Sequence, residues 1–145
     1  MKAVIQRVKE SKVVVDNETV ADIRKGILIF LAVGKGDTEE SAIKLAKKIS
    51  ELRIFDDSQG KMNLSIKDVK GEILVVSQFT LYADCWDGRR PSFDPCAEPT
   101  EAKMFYDLFI RELAKTGLGV KEGKFAARME VELINDGPVT FILET

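Results

Sequence analysis

The sequence predicts an α/β fold, a mixed sheet or two packed sheets with helices covering one side. Three observations carry this. Runs rich in Val, Ile and Thr alternate with two stretches whose apolar residues recur at helical spacing. One run, Ile27 to Val33, is apolar throughout, as a strand covered on both faces must be. Clusters of Gly, Asn, Asp and Pro separate the runs.

Taken in order, Ala3 to Val8 has strand composition and Lys12 to Val15 continues it. Asp16-Asn17-Glu18 marks a hairpin turn before a strand from Thr19 to Ile23. Gly26 opens the central run, and Gly34 closes it. A helix is predicted from about Thr38 to Leu52, with Asp37 as N-cap and Glu40 three residues on. Its apolar face is Ala42, Ile43, Leu45, Ala46, Ile49 and Leu52. Glu72 to Gln78 is a further strand. Pro99 suits the first turn of a second helix, whose buried face is Ala102, Phe105, Tyr106, Phe109 and Leu113, with Gly117 near its end. Met129 to Ile134 and Val139 to Leu143 complete the set as two strands around Asn135-Asp136-Gly137-Pro138, a dense turn signal.

The chain has 145 residues and fits one domain, 1–145. With 45% hydrophobic and 32% charged residues it can build a core under a soluble surface. The longest apolar run falls far short of the roughly 20 residues that cross a bilayer, so no membrane partner is expected. Gln6, Arg7, Lys9 and Glu10 interrupt any signal sequence, and the expected location is cytoplasmic. Cys85 and Cys96 are expected to be free thiols.

There is no histidine. Ser-His-Asp and Cys-His catalysis and His-bearing zinc sites are therefore excluded. A hydrolase of this sequence must find its base elsewhere. No ligand cluster points to a metal, and no cofactor is expected. The net charge of −2 argues against wrapping a long nucleic acid but leaves room for a local grip on one RNA end.

Four segments are candidates for chemistry. Ser77-Gln78-Phe79-Thr80-Leu81-Tyr82 sits where an apolar strand ends and backbone amides come free. Ser77 and Thr80 suit donation to a carbonyl or nucleophilic attack; they equally suit local backbone hydrogen bonding. Asn135-Asp136-Gly137-Pro138-Val139-Thr140 is either a tight hairpin turn or, with a cis proline bond, a loop whose carbonyls face a ligand. Arg89 and Arg90 in Gly88-Arg89-Arg90-Pro91-Ser92-Phe93 suit a phosphate or carboxylate, or are solvated loop charges. Lys121, Lys124 and Arg128 surround Phe125, a pattern that suits a nucleobase at an RNA end, although Phe125 equally suits a core. The pairs Asp56-Asp57 and Glu39-Glu40 have the look of solvated faces.

Together these segments resemble the D-aminoacyl-tRNA deacylase (DTD) family. Its Ser-Gln-Phe-Thr signature matches Ser77 to Thr80, and its Asn-x-Gly-Pro-x-Thr signature matches Asn135 to Thr140. Gln6-Arg7-Val8, Lys61-Met62-Asn63-Leu64, Arg90-Pro91-Ser92-Phe93 and Phe125-Ala126-Ala127 match in order along nearly the whole chain. Ala83 to Asp87, with Cys85 and Trp86, matches no motif of the family.

The resemblance implies a barrel-like two-sheet core and a homodimer with active sites at the interface. It implies hydrolysis of D-aminoacyl-tRNA, with the aminoacyl-tRNA 3′ end as partner. Ser77, Gln78, Phe79 and Thr80 would form the catalytic strand end. The Gly137-Pro138 peptide would be cis and reach into the partner's site, flanked by Asn135 and Thr140. Its carbonyls would hold the substrate ammonium and leave no room for an L side chain. Glycine would escape this exclusion, so glycyl-tRNA mischarged on tRNA-Ala is an expected second substrate. Phe125, Lys124, Arg128 and Arg90 are candidates for the tRNA end, and Arg7 for support of the loop, unless it makes only a surface salt bridge. Two routes are open for hydrolysis: attack by Thr80, or activation of water by the substrate's own ribose hydroxyl, which the lack of histidine favours. A module that binds an RNA 3′ end without cutting it is the competing reading.

Overall fold

The structure, a computed structural model, describes residues 1–145. Asp16 and Asn17 both take positive φ, 51° and 66°, as a two-residue hairpin turn demands. The turn folds β1 (Lys2–Val15) back onto β2 (Glu18–Ile23), with Val15 opposite Glu18. β3 (Gly26–Ala32) carries on along the same edge of β1, Val8 facing Gly26 and Lys2 facing Ala32. Helix α1 (Glu39–Glu51) and a small hairpin of β4 (Arg53–Asp56) and β5 (Met62–Ser65) follow. β6 (Glu72–Ser77) pairs parallel to β3. After a 3-10 turn, Phe79–Tyr82, and helix α2 (Pro99–Ala114), β7 (Val120–Glu122) pairs parallel to β6. β8 (Glu130–Glu144) takes the other edge of β1.

The main sheet therefore runs β2-β1-β3-β6-β7, with β8 attached to β1. Its far ends come together where Lys121 on β7 donates to the Asp22 carbonyl on β2. The sheet is mixed, nearly barrel-shaped, and covered by the two helices. No helix is long and apolar enough to cross a membrane.

Two cores explain why the central run is apolar on both faces. Ile27, Ile29 and Leu31 of β3, with Ile73 and Val75 of β6, pack under α1 and α2. Leu28, Leu74 and Val76 point the other way, into the barrel interior with Val8, Val13, Val15, Ala21 and Ile23. β1 serves both cores. Ala3 and Ile5 face the helices, whereas Val13 and Val15, of the same parity, face the interior. The change of face coincides with a register shift between Val8 and Glu10 against β8. Tyr106 ties α2 to the sheet, its hydroxyl donating to the Val75 carbonyl at 3.0 Å. Burial holds that hydroxyl well above its ordinary pKa, so it stays a donor.

Two expectations need correction. Asn135 to Pro138 is not a hairpin turn between two strands. Residues on both sides of it pair antiparallel to the same edge of β1, so β8 is one strand with a bulge. The N-cap of α1 is Thr38, which exchanges side-chain and backbone bonds with Ser41. Asp37 is engaged instead by the Gly34 amide at 2.7 Å and by the amino group of Met1. The strands β4, β5 and β7 were not foreseen. Each has only three or four residues, too few to show a period.

Gly26 marks the tightest strand contact. A Cβ there would stand 1.9 Å from the Glu72 carbonyl oxygen, its β6 neighbour. Gly26→Ala is expected to lower the unfolding free energy by about 2–3 kcal/mol in urea titration, the range of an overpacked core. An unchanged midpoint would mean that β3 and β6 separate there without penalty.

Candidate active site

The parallel strands β3 and β6 end side by side, with Leu31 opposite Ser77. The Gln78 amide still donates to the Leu31 carbonyl at 2.8 Å. Beyond it the chain turns into the 3-10 segment, and pairing stops. The amides of Phe79 and Thr80 then find no acceptor in the chain. They are the unsatisfied first donors of a helical turn. Thr80 is exposed, and its hydroxyl accepts a hydrogen bond from Gln78 Nε2 at 2.5 Å.

A cleft of about 470 Å³ opens at this strand end. Its floor and walls include Val76, Ser77, Phe79, Tyr106, Phe125 and Met129, and its lining is mainly apolar. Phe125 is half-buried, its ring 5.5 Å from that of Tyr106. Ala126 takes a positive φ of 59°, which turns the chain sharply beside the ring. Lys103, from α2, lies 5.8 Å over Phe125. It stands where Lys121 was expected, because Lys121 reaches Asp22 across the sheet. Lys124 and Arg128 are exposed on either side of the Phe125 segment, and Arg90 is exposed on the loop before Pro91. Cys96 also lines the cleft, with its thiol 3.4 Å from the Phe79 carbonyl. Burial pushes that thiol's pKa up, although Lys35 pulls it down. Cys85 and Cys96 are both free.

The second signature lies elsewhere. Between Gln6, paired with Thr140, and Val8, paired with Asn135, β1 has the single residue Arg7, and β8 has Asp136, Gly137, Pro138 and Val139. The surplus is the bulge. The Gly137-Pro138 peptide is cis. Gly137 has a φ of 129°, and a Cβ on it would stand 2.8 Å from Val139 Cγ2. Both residues are exposed.

Arg7 is only 5% exposed, so a surface salt bridge does not describe it. Its Nε donates to the Asp136 carbonyl at 3.0 Å, and its Nη1 donates to the Ile54 carbonyl at 2.7 Å. The carboxylates of Asp136 and Asp56 each stand 3.4 Å from it. Asp56 thus has a partner, contrary to a merely solvated face. Asp57 accepts from the Gln59 and Lys61 amides and from Asn63. The Lys61 amide, then Asn63, then the Gln59 amide hold its carboxyl below the ordinary range. The β4-β5 hairpin gives no sequence signal of its part in this site, because its closest contact, the Ile54 carbonyl, leaves no mark in a sequence and the pair Asp56-Asp57 has the look of a solvated face.

One chain does not bring the two signatures together. Ser77 lies in the row of Ala3, and the bulge faces Arg7, four residues along β1 and three strand spacings across. That is on the order of 20 Å along the sheet. No group of His, Cys, Asp and Glu is placed to hold a metal ion.

The sequence profile of the D-Tyr-tRNA(Tyr) deacylase family matches residues 4–144. A D-aminoacyl-tRNA deacylase of Thermotoga petrophila is 56% identical over 145 residues, covering this whole chain and 97% of that protein. One of Geobacter sulfurreducens is 57% identical over the same length, covering 95% of that protein. Among solved structures, a c-Myc DNA unwinding element binding protein superposes with a TM-score of 0.93 at 41% identity, covering 100% of this chain and 99% of that one. A probable eukaryotic D-amino acid tRNA deacylase has a TM-score of 0.82 at 16% identity, with 98% and 97% covered, a likeness of fold.

Removing the buried guanidinium tests what holds the bulge. Arg7→Met keeps the length of the side chain and leaves the Ile54 and Asp136 carbonyls without their donor. We expect a loss of about 2–3 kcal/mol in denaturant unfolding. A loss below about 0.5 kcal/mol would show that the bulge stands by itself.

Proposed function

The chain belongs to the D-Tyr-tRNA(Tyr) deacylase family, and we propose that it hydrolyses the ester between a D-amino acid and the terminal ribose of tRNA, releasing both. The observation that carries this reading is the pair of open amides on Phe79, which lines the apolar cleft, and on Thr80 next to it in the chain. Ester hydrolysis passes through a tetrahedral oxyanion, and fixed N–H donors without competing acceptors stabilise it.

The cleft takes the terminal nucleoside, with its base against Phe125 and its phosphates near Lys124 and Arg128. The ester carbonyl then lies at Phe79 and Thr80. Thr80 does not serve as nucleophile on this reading. A threonine nucleophile needs a neighbouring base, and its hydroxyl instead faces the amide donor of Gln78. The neighbouring ribose hydroxyl activates the water, and Gln78, Ser77 and the two amides position the reacting groups.

Two copies of the chain complete the site. The bulge projects from the outer edge of the sheet, too far from its own Ser77 to reach it. Ile134, Phe141 and Ile142 expose apolar surface along the same strand, as an edge strand covered by a second copy would. In the dimer the Gly137 and Pro138 carbonyls of one copy hold the substrate ammonium of the other. Arg7 holds the bulge from behind, and Asn135 and Thr140 anchor its two ends. Chirality is set by exclusion of the L side chain. A D side chain points to solvent, and glycine has nothing to exclude, so glycyl-tRNA mischarged on tRNA-Ala is a further substrate.

A second reading, a module that holds a nucleic-acid end without cutting it, is favoured by the neighbour named for binding a DNA element. Turnover separates the two. D-Tyrosyl-tRNA and L-tyrosyl-tRNA are incubated with catalytic amounts of protein and a chelator. We expect many equivalents of D-tyrosine released and the L-ester preserved. Stoichiometric protection of both esters would establish the binding module instead.

Two substitutions test the parts. Thr80→Ala is expected to retain activity within about 10-fold of the parent, since on this reading its hydroxyl does not supply the roughly 10²- to 10⁴-fold contribution of a proton-transferring group. Complete loss with unchanged tRNA binding would restore Thr80 as nucleophile. Gly137→Ala displaces the bulge, since its φ suits glycine and its Cβ meets Val139. The D-over-L preference should fall by at least about 10-fold, as expected when an excluding wall moves. A fully protected L-ester beside normal D-cleavage would mean the bulge does not set chirality.

A further inference from the structure

Trp86 is the most exposed large apolar residue of the chain, with 95% of its surface open to solvent. A tryptophan left in water forgoes the burial that usually stabilises it, and nothing in the fold covers this one. The backbone that carries it is nevertheless held. Asp84 and Ser92 exchange both backbone hydrogen bonds, at 2.9 and 2.8 Å, so residues between them form a closed loop. The Trp86 amide donates to Asp84 Oδ1 at 2.9 Å. Gly88 turns the loop with a φ of 76°, and Arg89 and Arg90 follow, both exposed.

The loop is rooted in the candidate site. It leaves from the 3-10 turn that begins at Phe79 and returns to Phe93, whose ring lies 5.0 Å from that of Phe79. Three residues later the Cys96 thiol contacts the Phe79 carbonyl. The returning side of the loop thus contacts Phe79, which lines the cleft. An exposed indole beside two guanidinium groups is suited to single-stranded nucleic acid, the indole stacking on a base and the arginines meeting phosphates. Asp84 keeps its charge while accepting from the Trp86 amide, which holds that carboxylate against the loop backbone, and Asp87 is the other carboxylate facing Arg89 and Arg90.

We propose that Trp86, Arg89 and Arg90 form a second RNA contact that stacks a base upstream of the terminal nucleoside and holds the single-stranded acceptor end as it leaves the cleft. This rests on the reading of the cleft as the seat of the tRNA end. The occupant is the unpaired 3′ segment rather than duplex, because only unpaired bases offer a free face to an indole.

The chain has one tryptophan, so its emission reports on this loop alone. The probe is an uncharged single-stranded RNA of four nucleotides ending in CCA, with adenosine as the control that lacks upstream bases. The RNA should quench Trp86 emission, and adenosine should not. With end-labelled RNA, Trp86→Ala should weaken binding about 10-fold, and Trp86→Phe should recover most of it, the scale of one stacked base. Unmoved emission while the RNA binds would overturn the proposal, as would RNA that does not bind. Emission that changes with protein concentration alone, without RNA, would also overturn it and assign Trp86 to a contact with a second copy. The RNA carries no ester, so this result is independent of the turnover assay that tests the deacylase reading.

Discussion

Strand β1 is paired along both edges, to β8 on one side and to β3 and β2 end to end on the other. Much of the remaining architecture follows from that constraint. A fourteen-residue strand with full ladders on both sides cannot stay flat, because each strand twists relative to the next. The sheet curls, and β7 comes round to β2. The irregularity between Val8 and Glu10 lets one strand serve two cores, its first half under the helices and its second half inside the barrel. It also gives β8 a fixed template, and any excess residue in β8 must leave the ladder. Asp136 to Val139 are that excess, opposite Arg7.

Arg7 shows why such a bulge persists. A buried guanidinium is tolerated only when its donors and charge are matched. The Asp136 and Ile54 carbonyls satisfy two of its donors, and two carboxylates stand near its charge. The β4-β5 hairpin thereby becomes part of the bulge's support. At the other end of the sheet the logic is reversed. There the ladder simply stops, and two amides are left without acceptors beside an apolar cleft. An unsatisfied buried donor is a cost, whereas one facing a cleft is a place for a developing negative charge. A protein without histidine can do ester chemistry there by position and backbone polarity, on the reading proposed above.

The elements with a strong local signal were legible in the chain. Asp16-Asn17 at the hairpin, the apolar run of β3 and the helical spacing of α1 and α2 each encode their own geometry. Pro99 likewise fits the start of α2. The cap of α1 was misplaced because Asp37 and Thr38 are both good caps, and distant partners of Asp37 decided between them. The residue types of Asn135-Asp136-Gly137-Pro138 suit a turn between two strands and a loop with a cis proline bond alike. Whether such residues reverse the chain or bulge out of a strand depends on the neighbour they pair with.

Sequence alone thus determined the class of fold, the two helices, the central buried strand and the exclusion of histidine chemistry. These follow from residue type and from periods of 2 and 3.6 residues, which are local properties. The resemblance of six ordered motifs pointed to the family. Tertiary structure alone decided that β8 is continuous, that Arg7 is buried against Ile54 and Asp136, and that Lys103 rather than Lys121 stands over Phe125. It also decided that Trp86 faces solvent on the loop closed by Asp84 and Ser92. Each of these depends on contacts between residues far apart in the chain, and no local pattern of residue types specifies which distant group will be there.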